Sequence, residues 1–301
     1  MYSNLSLGAL GLSADFPTAV ELAVRHGFGG LDADIGHLAS LGDEAAIRDA
    51  AAGVAERGLR WGVAGLPVDL TAPAAEFTAQ IAGMSDTLAV LSAAGVPSVG
   101  TWVRPMHDDL TYRRNWVLNV SRLALVAEVL ADAGLRLGLE YVGPKTFWST
   151  ERFPFVHSLA EVRELIADTG ATNVGVILDS YHWYTAGETA EDLIGLRDAE
   201  IVSVDINDAP DDRERDEQLD LDRRLPASTG VIDLTGFMTG LRDAGYTGPV
   251  KVEPFLTTLS EQPIDDVLAD VSSRLDTSAS TSSIGCSASE ARKGSTLTGP
   301  V

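Results

Sequence analysis

Eight short apolar runs, each followed by a longer segment of helical periodicity, constrain this chain more than any other feature. The runs are LSLGALGL (5–12), FGGLDADI (28–35), LRWGVAGL (59–66), SVGTWVRP (98–105), RLGLEYVG (136–143), VGVILDSY (174–181), IVSVDIND (201–208) and PVKVEPF (249–255). Between them lie amphipathic stretches such as PTAVELAVRHG, DEAAIRDAAAGVAERG, AEFTAQIAGMSDTLAVLSAAG and YRRNWVLNVSRLALVAEVLADAG. Alternation of this kind predicts βα units around a parallel sheet. Glycines at 27, 58, 95, 134 and 245 stand just before the next run, where left-handed helix caps belong. Eight such units in about 275 residues predict a single (β/α)8 barrel over residues 1–275. An open doubly wound sheet is the competing fold. The first βα turn, LGALGLSADFP, lacks the glycine spacing of a dinucleotide fingerprint, and no phosphate-binding lysine loop is present. Residues 276–301, rich in Ser and Thr and poor in large apolar side chains, read as a disordered tail.

Charge and cysteine content exclude several classes. A net charge of −22 repels a phosphate backbone, so no nucleic-acid partner is expected. No apolar stretch approaches the roughly 18 residues of a membrane span, so no membrane partner is expected either. The single cysteine, Cys286, rules out an internal disulfide and a thiolate metal cluster. The N-terminus, MYSNLSLGAL, lacks the basic, apolar and small-residue regions of a secretory signal, and the expected compartment is the cytoplasm.

In a barrel of this kind the reacting groups stand at the C-terminal ends of the strands. Four apolar runs there are interrupted by an acid: Glu140, Asp179, Asp205 and Glu253. Four carboxylates aimed at one cavity repel one another, and buried charge without a partner favours protonation instead. A divalent cation removes that conflict. Hard oxygen ligands suit Mg²⁺ or Mn²⁺, a nearby nitrogen ligand admits Co²⁺, and an all-oxygen set disfavours Zn²⁺. A lone strand-end acid is commonly a helix cap, and Asp208 competes with Asp205 for the inward position. His182, three residues past Asp179, is a candidate ligand or substrate contact; His37 and His107 lie beyond strands that reach the same face.

The stretches GLEYVGPKTFW, LDSYHWY, VDINDAPDD and RRLPASTGVIDLTGFMTGLRDAGYTGPVKVEPF resemble the sugar phosphate isomerase/epimerase superfamily with its xylose isomerase-like TIM barrel. The resemblance covers roughly residues 5 to 272. It implies one divalent metal, bound after strands 5, 6, 7 and 8 by Glu, Asp, His and Glu. Carried over, the ligands are Glu140, Asp179 and Glu253, and the histidine position falls on Asp205. An Asp there makes the set more anionic and the metal a weaker Lewis acid. The trinuclear zinc cluster of the superfamily's DNA-repair branch needs more strand-end histidines than this chain has.

By the same resemblance, Glu140 and Glu253 are the catalytic bases that move a proton beside a carbonyl. Arg223, in LDRRLP, matches an arginine placed over the site. Lys145 and the aromatics Trp102 and Trp183 join His182 as candidate substrate contacts. The segment 209–230 is long for a βα loop and reads as a lid or a solvated acidic excursion. The implied activity is a metal-dependent sugar isomerase or epimerase acting on a ketose or oxidised sugar. The alternatives are a lyase or hydratase acting on 3-oxo-glycosides and a metal-free sugar-binding barrel. Its partner is a small-molecule sugar, and such relatives are commonly homo-oligomers.

Overall fold

The computed structural model describes the backbone of residues 1–293 and the side chains of residues 1–279. Strands and helices alternate as the apolar pattern predicts. The first half comprises β1 (Tyr2–Leu5), α1 (Phe16–Arg25), β2 (Gly30–Leu31), α2 (Ile35–Ser40), α3 (Glu44–Glu56), β3 (Arg60–Trp61), β4 (Ala64–Gly65), α4 (Ala74–Gly83), α5 (Ser85–Ala94), β5 (Ser98–Trp102), β6 (Met106–His107) and α6 (Tyr112–Asp132). The second half comprises β7 (Arg136–Glu140), α7 (Lys145–Trp148), β8 (Phe153–Pro154), α8 (Leu159–Thr169), β9 (Val174–Asp179), α9 (Ser180–Thr185), β10 (Ile201–Ile206), α10 (Leu234–Asp243), β11 (Pro249–Val252) and α11 (Ile264–Lys293).

The main sheet runs β3-β2-β1-β11-β10-β9-β7-β5-β4, with every pairing parallel. Its two ends are one strand. Only Gly62 and Val63 separate β3, which pairs with β2, from β4, which pairs with β5. The sheet therefore closes on itself as an eight-staved barrel, with the competing open sheet excluded. A small antiparallel pair, β6 with β8, lies outside the barrel sheet.

Sequence signals for the helices act as their chemistry requires. Asp15, Asp43 and Ser158 accept hydrogen bonds from first-turn amides of α1, α3 and α8. Glycines 27, 58, 95, 134 and 245 all adopt positive φ at helix ends. Two expectations need correction. The first strand is Tyr2–Leu5, and LGALG forms a turn instead, because Tyr2 and Ser3 are the residues that pair with β11. The single helix expected over 75–95 is two, α4 and α5, jointed at buried Met84 beside helix-weakening Gly83. Of the expected tail from 276, buried Ser278 sits on α11, and residues 294–301 lie outside the described residues.

The barrel interior is filled by large side chains standing over glycines. Gly100, Gly138 and Gly175 occupy one register row across β5, β7 and β9. A Cβ on Gly138 would lie 2.7 Å from Ile177 Cγ1, and one on Gly100 would lie 2.6 Å from Ile177 Cδ1. This plug fills the barrel below the strand ends that carry the acids. Among the described residues, no helix is long and apolar enough to cross a membrane.

Candidate active and metal site

Strand register brings the acids together. Asp205 pairs with Asp179 on one side and with Lys251 on the other, so the three side chains form a row across β9, β10 and β11. Glu140 ends β7, and Glu253 follows the last residue of β11. Alternation along a strand puts Glu253 on the same face as Lys251. One oxygen from each of Glu140, Asp179, Asp205 and Glu253 lies within 4.8 Å of the others. Asp208 is not part of this group. Its Oδ1 accepts from the amides of Ala209 and Ile232, and its Oδ2 from those of Thr229 and Gly230, so it ties down the base of the 209–230 loop.

Asp179 is held on both oxygens. Oδ1 caps α9 through the amides of Tyr181 (2.7 Å) and His182 (3.1 Å), while Oδ2 accepts from Arg223 Nη1 (2.8 Å) and Asn207 Nδ2 (2.9 Å). Asn207 also accepts the Glu253 amide through Oδ1, which links β10 to the end of β11. Arg223 is 1% exposed, with Nη1 3.2 Å from Glu253 Oε2 and Nη2 3.0 Å from Asp220 Oδ1. Lys251 Nζ stands 3.4 Å from Asp205 Oδ2 and 3.8 Å from Glu253 Oε1.

Two buried oxygens of the group have no partner: Glu140 Oε1 and Asp205 Oδ1. Burial first, then repulsion from Glu253, Asp179 and Asp205, pushes the Glu140 carboxyl well above its ordinary range. Asp205 is raised as well, by burial against the opposing pull of Lys251. His182 is buried and neutral, its pKa pushed down to about 3 by desolvation and by Arg223. Arg223 can only donate, so His182 Nε2, 3.2 Å from Nη2, accepts.

This donor set fits a divalent cation. Two cations, Arg223 and Lys251, face four carboxylates, and the two unpartnered oxygens belong to the group that a single ion could bridge. A second, overlapping group of Glu140, Asp179 and His182 adds a nitrogen donor. Asp205, where the resemblance implies histidine, stands among the four convergent acids.

The other predicted contacts divide. Trp102 is opposite Glu140 in register, 45% exposed, and lines a cavity of about 530 Å³ with residues 66–71 and Arg104; none of the four acids lines that cavity. Lys145 is paired to Asp216 of the 209–230 loop at 2.6 Å. Trp183 does not join the site. It is 3% exposed, packs on Phe237 and donates to the Thr189 carbonyl, because α9, started by the Asp179 cap, turns that side chain outward. His37 stacks on Phe16, and His107 accepts from the amides of Asp109 and Leu110.

Asn207, Lys251 and Asp220 were not singled out from the sequence as site residues. Asn207 and Lys251 each stand two residues from an acid already identified, on the same strand face, and that spacing was the available signal.

The long loop is packed against the barrel top. Tyr181 donates its hydroxyl to the Leu219 carbonyl at 2.6 Å, Thr146 donates to the Gln218 carbonyl, and buried Gln218 donates to the Pro210 carbonyl. These contacts fix residues 218–223 and carry Arg223 into the acids.

Comparison with known proteins agrees with this architecture. The family model described as the xylose isomerase-like TIM barrel matches residues 20–273. The chain belongs to that family. A xylose isomerase domain protein from Alicyclobacillus acidocaldarius subsp. acidocaldarius superposes with a TM-score of 0.82 at 30% identity, covering 93% of this chain and 99% of that one. An inosose isomerase of Bacillus licheniformis is 26% identical over 186 residues, a match spanning 60% of each chain. A 3-dehydroshikimate dehydratase of Pseudomonas aeruginosa is 29% identical over 135 residues, spanning 44% of this chain and 20% of that enzyme.

Proposed function

We propose that this family member is a divalent-metal-dependent isomerase or epimerase that removes a proton beside the carbonyl of a sugar or related polyol ketone. The observation that carries the reading is the convergence of Glu140, Asp179, Asp205 and Glu253, with two of their buried oxygens lacking a hydrogen-bond partner. Glu140, Asp179, Asp205 and Glu253 would hold the ion, Mn²⁺ or Mg²⁺ by their oxygen donors, with Co²⁺ suited to a set that includes His182. Bound there, the cation supplies Lewis acidity that polarises a ketone and stabilises developing enolate charge.

The protein's own groups do the rest. Glu140 and Glu253 rise from different staves and are the two bases, one taking the proton and the other returning it. Return to the opposite face of the same carbon epimerises; return to the neighbouring carbon isomerises. Arg223 neutralises Asp179 and Glu253, and the loop that carries it is tied to the barrel top. The dehydratase among the relatives supports a second outcome of the same first step, loss of a β-oxygen from a 3-oxo sugar.

Solvent-deuterium exchange followed by NMR tests the reading. Mn²⁺-loaded protein with inososes and ketohexoses should exchange one substrate C–H, and Glu253→Gln should slow this by about 100-fold or more. Exchange at the parental rate in Glu253→Gln removes that residue from the chemistry. Appearance of an enone product instead of an exchanged ketone identifies the elimination outcome.

A further inference from the structure

A second polar cluster stands at the ends of β1 and β2, beside the β11 stave that carries Lys251 and Glu253. Asn4 Nδ2 donates to Asp32 Oδ1 at 2.6 Å, and Ser6 interacts with the same carboxylate. Ser6 and Asp32 line a cavity of about 400 Å³ walled by Leu5, Leu7, Phe16 and Val63. Space for this cluster depends on Gly62, where a Cβ would fall 2.4 Å from Asp32 Oδ1. Asn4, 2% exposed, leaves its Oδ1 without a partner. Burial and the nearby charge of Glu253 raise the Asp32 carboxyl, and Lys251 opposes them, so Asp32 lies within electrostatic reach of the catalytic half.

The charges around the mouth narrow what can enter. Arg223 is committed to Asp179, Glu253 and Asp220, Lys251 to Asp205 and Glu253, Lys145 to Asp216, and Arg104 to Glu151. A phosphate or carboxylate on the substrate would meet Asp32 and Asp34 in this cavity, whose lining holds no lysine or arginine. A hydroxyl, by contrast, can donate to the Asp32 carboxylate and accept in turn from Ser6.

We propose that Ser6 and Asp32, with buried Asn4 holding the Asp32 carboxylate in place, form a hydroxyl-binding subsite for the far end of a neutral polyhydroxylated ketone, an inference that rests on the proton-abstraction reading above. The substrate lies along this side of the mouth, its carbonyl toward Glu140 and Glu253 and its remote hydroxyls on Asp32. Sugar phosphates and carboxylated ring ketones are disfavoured at the same site.

Exchange kinetics with Mn²⁺-loaded parent, Asp32→Asn and Ser6→Ala proteins test this on four probes: an inosose, a ketohexose, that ketohexose's 6-phosphate, and 3-dehydroshikimate. The neutral probes should show the higher kcat/KM by about tenfold or more, since charge-assisted hydrogen bonds have that worth. Asp32→Asn should raise KM for neutral probes by about tenfold while kcat and Mn²⁺ affinity stay within about twofold, and Ser6→Ala should shift KM less in the same direction. If Asp32→Asn does not fold, the Ser6→Ala shift decides. Preference for an anionic probe, an unchanged KM in both variants, or a parallel loss of Mn²⁺ affinity overturns the subsite while exchange by the parent upholds the chemistry. No exchange with any probe defeats the proton-abstraction reading, and the subsite with it.

Discussion

Arg223 Nη1 lies 2.8 Å from Asp179 Oδ2, with both side chains withdrawn from solvent. The same guanidinium nitrogen also faces Glu253 Oε2, so one side chain from the 209–230 loop neutralises acids on two staves. Removing a single partner from a buried ion pair leaves uncompensated charge, which costs about 3 kcal/mol or more. Arg223→Met should therefore lower the unfolding free energy of metal-free protein, measured by urea titration, by that amount, and added Mn²⁺ should recover much of the loss. A variant with the parental midpoint would show that the acids need no internal cation.

The loop that delivers Arg223 is pinned by Tyr181, whose hydroxyl donates to the Leu219 carbonyl. Tyr181→Phe removes this bond at a cost of about 1 kcal/mol to the closed loop. Limited proteolysis should cut residues 209–230 several-fold faster, on the order of the fivefold such an energy gives, with little change in global melting temperature. Unchanged cleavage would locate the restraint elsewhere.

Glu188 supplies a pH dependence of known sign. Its buried carboxyl accepts from the Leu159 amide at the start of α8 and bonds to the Tyr141 hydroxyl. Desolvation is the largest influence and raises its pKa to about 7 from an ordinary 4.5. The folded state thus holds this proton more tightly than the unfolded chain does. The resulting stabilisation is fully present below the unfolded value and is lost as pH rises through about 7. Relative to the parent, Glu188→Gln should gain stability as pH rises across that window, measured by denaturant titration at both ends of it. A constant difference between the two proteins would contradict the assignment.

Gly138 is an interior position with no room for added volume, because Ile177 Cγ1 and Cδ1 already occupy the space beside its Cα. Gly138→Ala should destabilise by about 2 kcal/mol. Adding Ile177→Ala should cost less than the sum of the two single changes, since the new methyl enters the vacated space. Strict additivity would mean that the two residues do not share that volume.

Much of this architecture is legible in the chain. Buried strands of a parallel barrel are apolar on both faces, so the eight runs announce themselves, and an acid ending such a run stands out. What stays hidden depends on register. Asp205 and Asp208 differ only in strand parity, and β10 carries a register shift between Ile201 and Ser203 that no local pattern reveals. Lys251 becomes a site residue only because it pairs with Asp205. Trp183 looks like a sugar platform in LDSYHWY, but the direction of a helix decides its face, and α9 turns it toward Phe237. The first run misleads for another reason: LGALGL is apolar enough for a strand, yet only Tyr2 and Ser3 find partners on β11.

Equilibrium binding of Mn²⁺, read from the electron paramagnetic resonance of the free ion, tests the central claim most directly. Glu140 and Asp205 carry raised carboxyl pKa values and must release protons to hold a cation, so affinity should increase as pH rises. The expected result is one ion per chain, with affinity reduced about 100-fold in Asp179→Asn. Absence of binding, or binding indifferent to both pH and Asp179→Asn, would contradict an ion held by these four acids.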